Sequence, residues 1–514
     1  MSEGLLIGGW IVTGVESRER ATILRDAALA YRDGKVVDVG PIAEMRAKYP
    51  DAPTYGSPDH AILPGFVNSH HHVGLTPLQL GSPDYALELW FASRISGRAV
   101  DLYLDTLYSA FEMIASGITT VQHIHGWIPG PLSHIHGCST KVLDAYRTIG
   151  MRASYCFAVR EQNRLVYEAD EDFLQRLPTE TAALLAPHLA KQRLPFNDYL
   201  KLFDMLNGEN AGQNLTRIQL APANLHWCTD EGLQALKQKA DAAHVPMHMH
   251  LLETVYQKEY ARRRTGTTAV KHLDKLGLLG PGLTLGHGVW LTEDDIEIAA
   301  ATGTCICHNC SSNLRLRSGV APVNVFEAKG VTVGMGLDEA GINEDRDMLQ
   351  EMRLALRVHR VPGMREEDVP SCPQILKMAT EHGAMTTAFG ASIGKLEPGR
   401  FADAVLINVK KAFYPYQDDD IPMLDALIQR AKTDTVDAVF VNGEMIYEHG
   451  RFTHIDRDKV LAEIAEAMSR PRTEAEMTSR ELRRQVFPHV EAFYRDYLTD
   501  MPERQPFYAP SSRT

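Results

Sequence analysis

Apolar and polar positions follow two rhythms along this chain. From residue 64 to 395, short apolar runs of strand length alternate with longer stretches of helical period. RIQLAPAN (217–224) has the texture of a strand. TDEGLQALKQKADAA follows it, with Thr229 placed to cap a helix and acids in the first turn. Leu233, Leu236, Ala240 and Ala243 then recur at helical spacing. VPMHMHL, GLTLGHGV, GTCICHN and GVTVGMGLD are further strands, separated by helical patterns. This repetition predicts an α/β fold, a (β/α)8 TIM-like barrel over 64–395.

The two ends keep a different rhythm. LLIGGWIVTG and AALAYRDGKVVDVG are short strands, with Asp33-Gly34 as a hairpin turn. The same texture returns in GRFADAVLIN and VDAVFVNGEMIYEHGRF, where Asn442-Gly443 is the turn. Residues 1–63 and 396–454 are therefore expected to build one small composite β-sandwich from both termini. Residues 455–514 read as a C-terminal helical extension, with Val460, Leu461, Ile464, Ala465 and Met468 on one apolar face. That face is expected to help form a homo-oligomer, a dimer or higher; packing back on its own barrel is the alternative.

Composition narrows the function. A formal charge of −13 argues against nucleic acid or an anionic membrane as partner. No apolar run approaches the roughly 18 residues of a membrane span. MSEGLLIGGW has no basic leader and no cleavage site, so a cytoplasmic protein is expected. The 7 cysteines are irregularly spaced and make no disulfide framework. Cys305, Cys307 and Cys310 flank His308 in CICHNC, but the CxC spacing departs from that of a zinc knuckle, and a strand is the preferred reading.

Chemistry in a barrel gathers at the C-terminal ends of its strands. Here those ends read His70-His71-His72, His248-Met249-His250 with Glu253 beyond, Gly286-His287-Gly288, His308-Asn309 and Gly336-Leu337-Asp338. Imidazoles on four strands and a carboxylate on another favour a metal site. Side chains alternate faces along a strand, so His70 and His72 share one face and His71 points away. His250 shares a face with His248 and lies nearer the rim, which makes it the better ligand. His248 is expected one layer deeper, in the core or supporting a ligand.

These segments carry a resemblance. PGFVNSHHHV resembles the PG-x-x-x-x-H-x-H strand of the amidohydrolase superfamily. MHMHLLET, LGHGVWL, CHNCSSNLRLRSGVAPV and GLDEAGINEDRDMLQEMR follow in the order and spacing of its cytosine-deaminase and chlorohydrolase branch. That branch includes triazine hydrolases and adenosine-type and guanine deaminases. GKLEPGRFADAVL is similar to the strand that returns to the small sheet.

The resemblance implies that His70, His72, His250 and Asp338 hold one divalent ion, zinc or iron(II). It implies that Glu253 shuttles protons and that His287 contacts the attacking water or the substrate. Asn313 falls in the segment that shapes the pocket, and Trp90 falls where relatives place an apolar wall. Gln122, His123 and His125, with His134 and His136 beyond, form a cluster that either recognises substrate or is a polar loop. Adenosine-type members carry a histidine at the position of Ala223, which turns the expectation from a nucleoside toward a free heterocycle. The absence of a basic cluster near the rim motifs points the same way.

A three-histidine, one-carboxylate site suits hydrolysis by activated water. With Glu253 and Asp338 as proton carriers, the expected enzyme displaces an amino or related group from an N-heterocycle. A cyclic amidase that opens a lactam or imide is the first alternative. That class generally uses two metals and a modified lysine on strand four, and RIQLAPAN has no lysine. A non-catalytic barrel protein is the second; such relatives usually lose ligands, and every ligand position is filled here.

Overall fold

The computed structural model describes residues 3–361, 363–365 and 369–499. Residues 500–514 of the expected extension lie outside the described residues.

Two half-sheets of parallel strands form the barrel. Strand one is Phe66–His71, strand two Ile118–His125 and strand three Arg152–Val159. Strand four is broken into Thr216–Ile218 and Ala221–Pro222. Strands five to eight are Met247–Leu251, Leu283–His287, Cys305–His308 and Val333–Met335. Bridges Leu220↔Met247 and Asn224↔His250 join the halves on one side, and His71↔Asp338 joins them on the other. RIQLAPAN is thus a strand as expected, but an interrupted one. The break falls at Gln219-Leu220, and pairing runs on past Pro222, where Ala223 N donates to the Val159 carbonyl at 3.1 Å.

The helix after strand four is Asp230–Ala243, and the Thr229 side chain accepts from Gly232 N at its start. It buries Leu233, Leu236 and Ala240. Ala243 is only half-buried.

Both termini meet in one eight-stranded sheet. Ala404–Asn408 pairs antiparallel with Thr54–Pro64 and joins the N-terminal strands to the C-terminal ones. Both expected hairpins are present, and all four turn residues (Asp33, Gly34, Asn442, Gly443) have the positive φ that such turns require. A buried bidentate pair fastens sheet to barrel: Arg152 donates to both oxygens of Asp403 at 2.8 Å.

The extension packs on its own chain. Helix Arg457–Ser469 lies on Leu102–Ala115 and buries Val460 and Ile464, while Ala465 stays exposed. Helix Glu474–Arg495 lies against Leu87–Arg94 and Thr179–Lys191. Its Leu482, Val486, Val490 and Tyr494 meet Ala92, Val166, Phe173 and Leu185. Of the apolar stripe that suggested an intersubunit contact, Val460 and Ile464 are covered from within, and Leu461 and Met468 are half-buried. Among the described residues, no helix is long and apolar enough to cross a membrane.

Candidate active site

Strand one ends on the three histidines, and alternation separates them as expected. His71 is fully buried between Ser109 Oγ and the Asp338 carbonyl, each 3.2 Å from one of its ring nitrogens. His70 and His72 turn the other way, with their Nε2 atoms 3.0 Å apart. His250 Nε2 lies 3.1 Å from His72 Nε2. Asp338 Oδ1 completes the group, 3.3 Å from His72 Nε2 and 3.7 Å from His70 Nε2.

Each outward nitrogen is set by what its ring does behind. His72 Nδ1 donates to the Ile124 carbonyl at 2.7 Å, and His250 Nδ1 donates to the Ala223 carbonyl at 2.8 Å. With the proton on Nδ1, the Nε2 lone pair is free to ligate. His70 Nδ1 meets His248 Nε2 at 2.8 Å, so the deeper histidine lies behind the His70 ring, away from its Nε2. Burial holds the His70 and His250 rings well below the ordinary imidazole pKa, and hence neutral. Three converging lone pairs and a carboxylate oxygen are the donor set of a zinc or iron(II) ion.

Around this group stand further titratable side chains. His287 Nε2 is 3.6 Å from Glu253 Oε2 and 3.8 Å from Asp338 Oδ2. Burial first, then the charges of Asp338 and Glu88, raise the Glu253 carboxyl well above the usual carboxylate range. Ser312 Oγ donates to Asp338 Oδ2 at 2.5 Å and Ser318 Oγ to Glu253 Oε1 at 3.3 Å. His287 and Asp338 both sit in left-handed backbone, at φ 73° and 55°. That conformation costs non-glycine residues of order 1–3 kcal/mol and is held by the surrounding packing.

The cavity above is walled by aromatic rings: Trp90, Phe91, Trp127 and Trp227. His125 also lines the cavity. Gln122 and His123 do not: Gln122 Nε2 contacts Cys156 Sγ, and His123 is held below by Tyr146 and by His125 itself. They sit deeper because the strand brings only its last two residues, Ile124 and His125, to the mouth. Asn313 is also behind the wall, with its Oδ1 accepting the Nδ1–H of His287 at 2.9 Å. His308 is absent from the rim; its neighbour Asn309 reaches His287 instead.

Two residues at the mouth have no counterpart in the sequence reading. Arg94 pairs with Glu339 at 2.7 Å. Arg160 lies between Trp127 and Trp227, its guanidinium carbon 3.5 and 4.2 Å from the ring centroids. Its Nε has no partner, and burial draws its pKa down to about 9, so the cation persists at neutral pH. No basic cluster accompanies the rim motifs in the sequence; the fold brings these two arginines to the mouth from other segments. An arginine directly after strand Arg152–Val159 gives no local signal; only tertiary packing brings it to Trp127 and Trp227.

The sequence model of the Amidohydrolase family matches residues 61–446. The chain belongs to the amidohydrolase family. A bacterial imidazolonepropionase-like composite domain also matches, at residues 27–52, within the small sheet. This amidohydrolase is 30% identical over 462 residues to a 5-methylthioadenosine/S-adenosylhomocysteine deaminase of Pyrococcus furiosus, spanning 89% of this chain and 98% of that protein. Two solved structures share its fold. One is a zinc-bound adenosine deaminase from Xanthomonas campestris, with TM-score 0.76 and 24% identity over 91% of this chain and 98% of that one. The other is the atrazine chlorohydrolase of Arthrobacter aurescens complexed with zinc, with TM-score 0.77 and 23% identity over 90% of this chain and 99% of that one. The amidohydrolase barrel expected from strand order and rim residues is the fold this chain adopts.

Proposed function

We propose that this amidohydrolase is a metal-dependent aminohydrolase that replaces an amino group on an N-heterocycle with oxygen. One observation carries the reading: Glu253, with a raised carboxyl pKa, faces the three-histidine, one-aspartate group across His287 in an aromatic cavity. His70, His72, His250 and Asp338 are the residues that would hold the ion, zinc or iron(II). When bound, such an ion lowers the pKa of the attacking water toward about 7.

The side chains then divide the work. Trp90, Phe91, Trp127 and Trp227 bind a flat ring and exclude bulk water. Glu253, its carboxyl raised above the usual range by burial, donates a proton to the ring nitrogen beside the reacting carbon. His287, its Nδ1–H fixed by Asn313, orients the attacking oxygen through Nε2. Asp338 accepts the proton that the water loses. Water adds to the ring carbon, the amine takes a proton from Glu253 or Asp338, and the C–N bond breaks. The products are a keto heterocycle and ammonia or a small amine. Arg160 and Arg94 suit a ring that also carries a hydrogen-bond-accepting or anionic substituent.

The relatives named as deaminases support this chemistry. A cyclic amidase is disfavoured because neither piece of barrel strand four contains lysine. The test is an ammonia-release screen with zinc-loaded and iron-loaded protein over aminopyrimidines, aminopurines and their nucleosides, aminopterins and aminotriazines. A parallel screen covers hydantoins, dihydropyrimidines and lactams. Turnover confined to the ring-opening set would replace the aminohydrolase with a cyclic amidase.

A further inference from the structure

Barrel strand seven carries a second convergence of metal-binding atoms on its outer side. Cys307 Sγ faces Asn309 Oδ1 at 3.3 Å, on the side of the active site. The next residue, His308, points the opposite way, toward helix Met348–Val358. His359, the residue that ends that helix, brings its Nε2 to 2.9 Å from His308 Nε2. Cys310 opens the short helix Cys310–Arg315 that follows the strand. One ligand atom from each of His308, Cys310 and His359 lies within 4.8 Å of the other two. All three residues are buried, at 1%, 2% and 6% exposure.

The protein alone does not satisfy this group. His308 Nδ1 is buried without any hydrogen-bond partner. Burial keeps both rings neutral, so each has a lone pair to offer. The rim provides a comparison within the same molecule. There, imidazole nitrogens meet at 3.0 and 3.1 Å because they converge on one point. The 2.9 Å approach at His308 and His359 has the same form. Two nitrogens tetrahedral about a zinc ion at about 2.0–2.1 Å stand about 3.3 Å apart, so a shift of a few tenths of an ångström admits the ion.

We propose that His308, Cys310 and His359 form a second metal site that binds zinc(II) or a similarly thiophilic divalent ion. Two imidazoles and a thiolate are a soft donor set, unlike the oxygen-bearing set at the rim. Binding displaces the thiol proton of Cys310 to solvent, breaks the hydrogen bond between the two rings and shifts the proton of that bond to the other nitrogen of its ring. The site is structural. It ties the end of strand seven to the end of helix Met348–Val358 and so fixes the start of the short helix Cys310–Arg315. That helix carries Ser312, which donates to Asp338, and Asn313, which accepts from His287.

Full-length protein, loaded with zinc and dialysed against metal-free buffer, tests this by metal content. Two ions per chain are expected in the native protein, one after Cys310→Ser and one after His72→Asn. Cobalt(II) in place of zinc adds a second readout, because only this site offers a thiolate. A near-ultraviolet sulfur-to-cobalt charge-transfer band is expected in the native protein and in His72→Asn, and is expected to vanish in Cys310→Ser. Should Cys310→Ser fail to fold, the band and the remaining ion in His72→Asn decide the matter. A native protein with one ion, lost entirely in His72→Asn and giving no such band with cobalt, overturns the second site. Failure of the rim assignment leaves a different trace: the band persists while His72→Asn changes no metal content.

Discussion

Asn313 Oδ1 accepts the Nδ1–H of His287 at 2.9 Å, and this bond decides which ring nitrogen faces Glu253 and Asp338. Asn313 is a positioning residue in the proposed mechanism. Asn313→Ala is expected to lower kcat by about 10–100-fold with rim metal content unchanged, the usual scale for losing a group that orients a site histidine. Steady-state kinetics with metal analysis checks this; an unaltered kcat removes Asn313 from the mechanism.

His71 and His72 are adjacent in sequence but serve opposite sides of the strand. His71→Asn is expected to keep the rim ion, because its ring only bridges Ser109 and the Asp338 backbone. His72→Asn is expected to lose it. Equal loss from both variants would mean that strand alternation does not select the ligands.

In the proposed mechanism Glu253 stands beside the metal-holding residues, 3.6 Å from His287, and is not one of them. Glu253→Gln is expected to retain the rim ion and to lose about 10²–10⁴-fold in turnover, the range for removing a positioned acid or base. Near-native turnover in a metal-replete Glu253→Gln preparation would assign proton transfer elsewhere.

His226 makes stability depend on pH. It is buried, 4.3 Å from Tyr167 and 4.2 Å from Trp227 by ring centroids, with neither ring nitrogen hydrogen-bonded. Burial, then Arg160 and Arg264, hold its pKa well below the ordinary value in the fold. Below about pH 6.5 the unfolded chain therefore binds a proton that the folded ring refuses. The stability contribution is full above that pH and is lost as pH falls, by up to about 1.4 kcal/mol per pH unit. His226→Phe is expected to remove this component, so that unfolding midpoints at about pH 7.5 and pH 5.5 differ less than in the native protein. The same acid-induced drop in both proteins counts against it.

Helix Glu474–Arg495 braces the helix that carries Trp90. Truncation before Glu474 is expected to expose Ala92, Val166 and Phe173, to lower the thermal midpoint and to raise KM. Light scattering on the truncated chain reports separately on self-association. An unchanged midpoint and KM would show that the brace has no effect on the cavity.

Strand alternation is a local property, and it was enough to separate His70 and His72 from His71 and to bring His250 forward of His248. Hairpin turns are equally local, since Asp33-Gly34 and Asn442-Gly443 need only a backbone of positive φ. The barrel itself followed from the repetition of strands and helical patterns, and the resemblance of the rim motifs supplied Glu253, His287 and Asp338. Depth was not legible in the same way. Gln122, His123 and His125 read alike in sequence, yet only His125 reaches the cavity, because how far a strand projects depends on the strands beside it. Arg160 between two tryptophans, and His308 meeting His359 from 51 positions away with Cys310 beside them, are convergences of distant segments. No periodicity encodes such a meeting; it exists only once the helices have packed on the barrel and closed the distance.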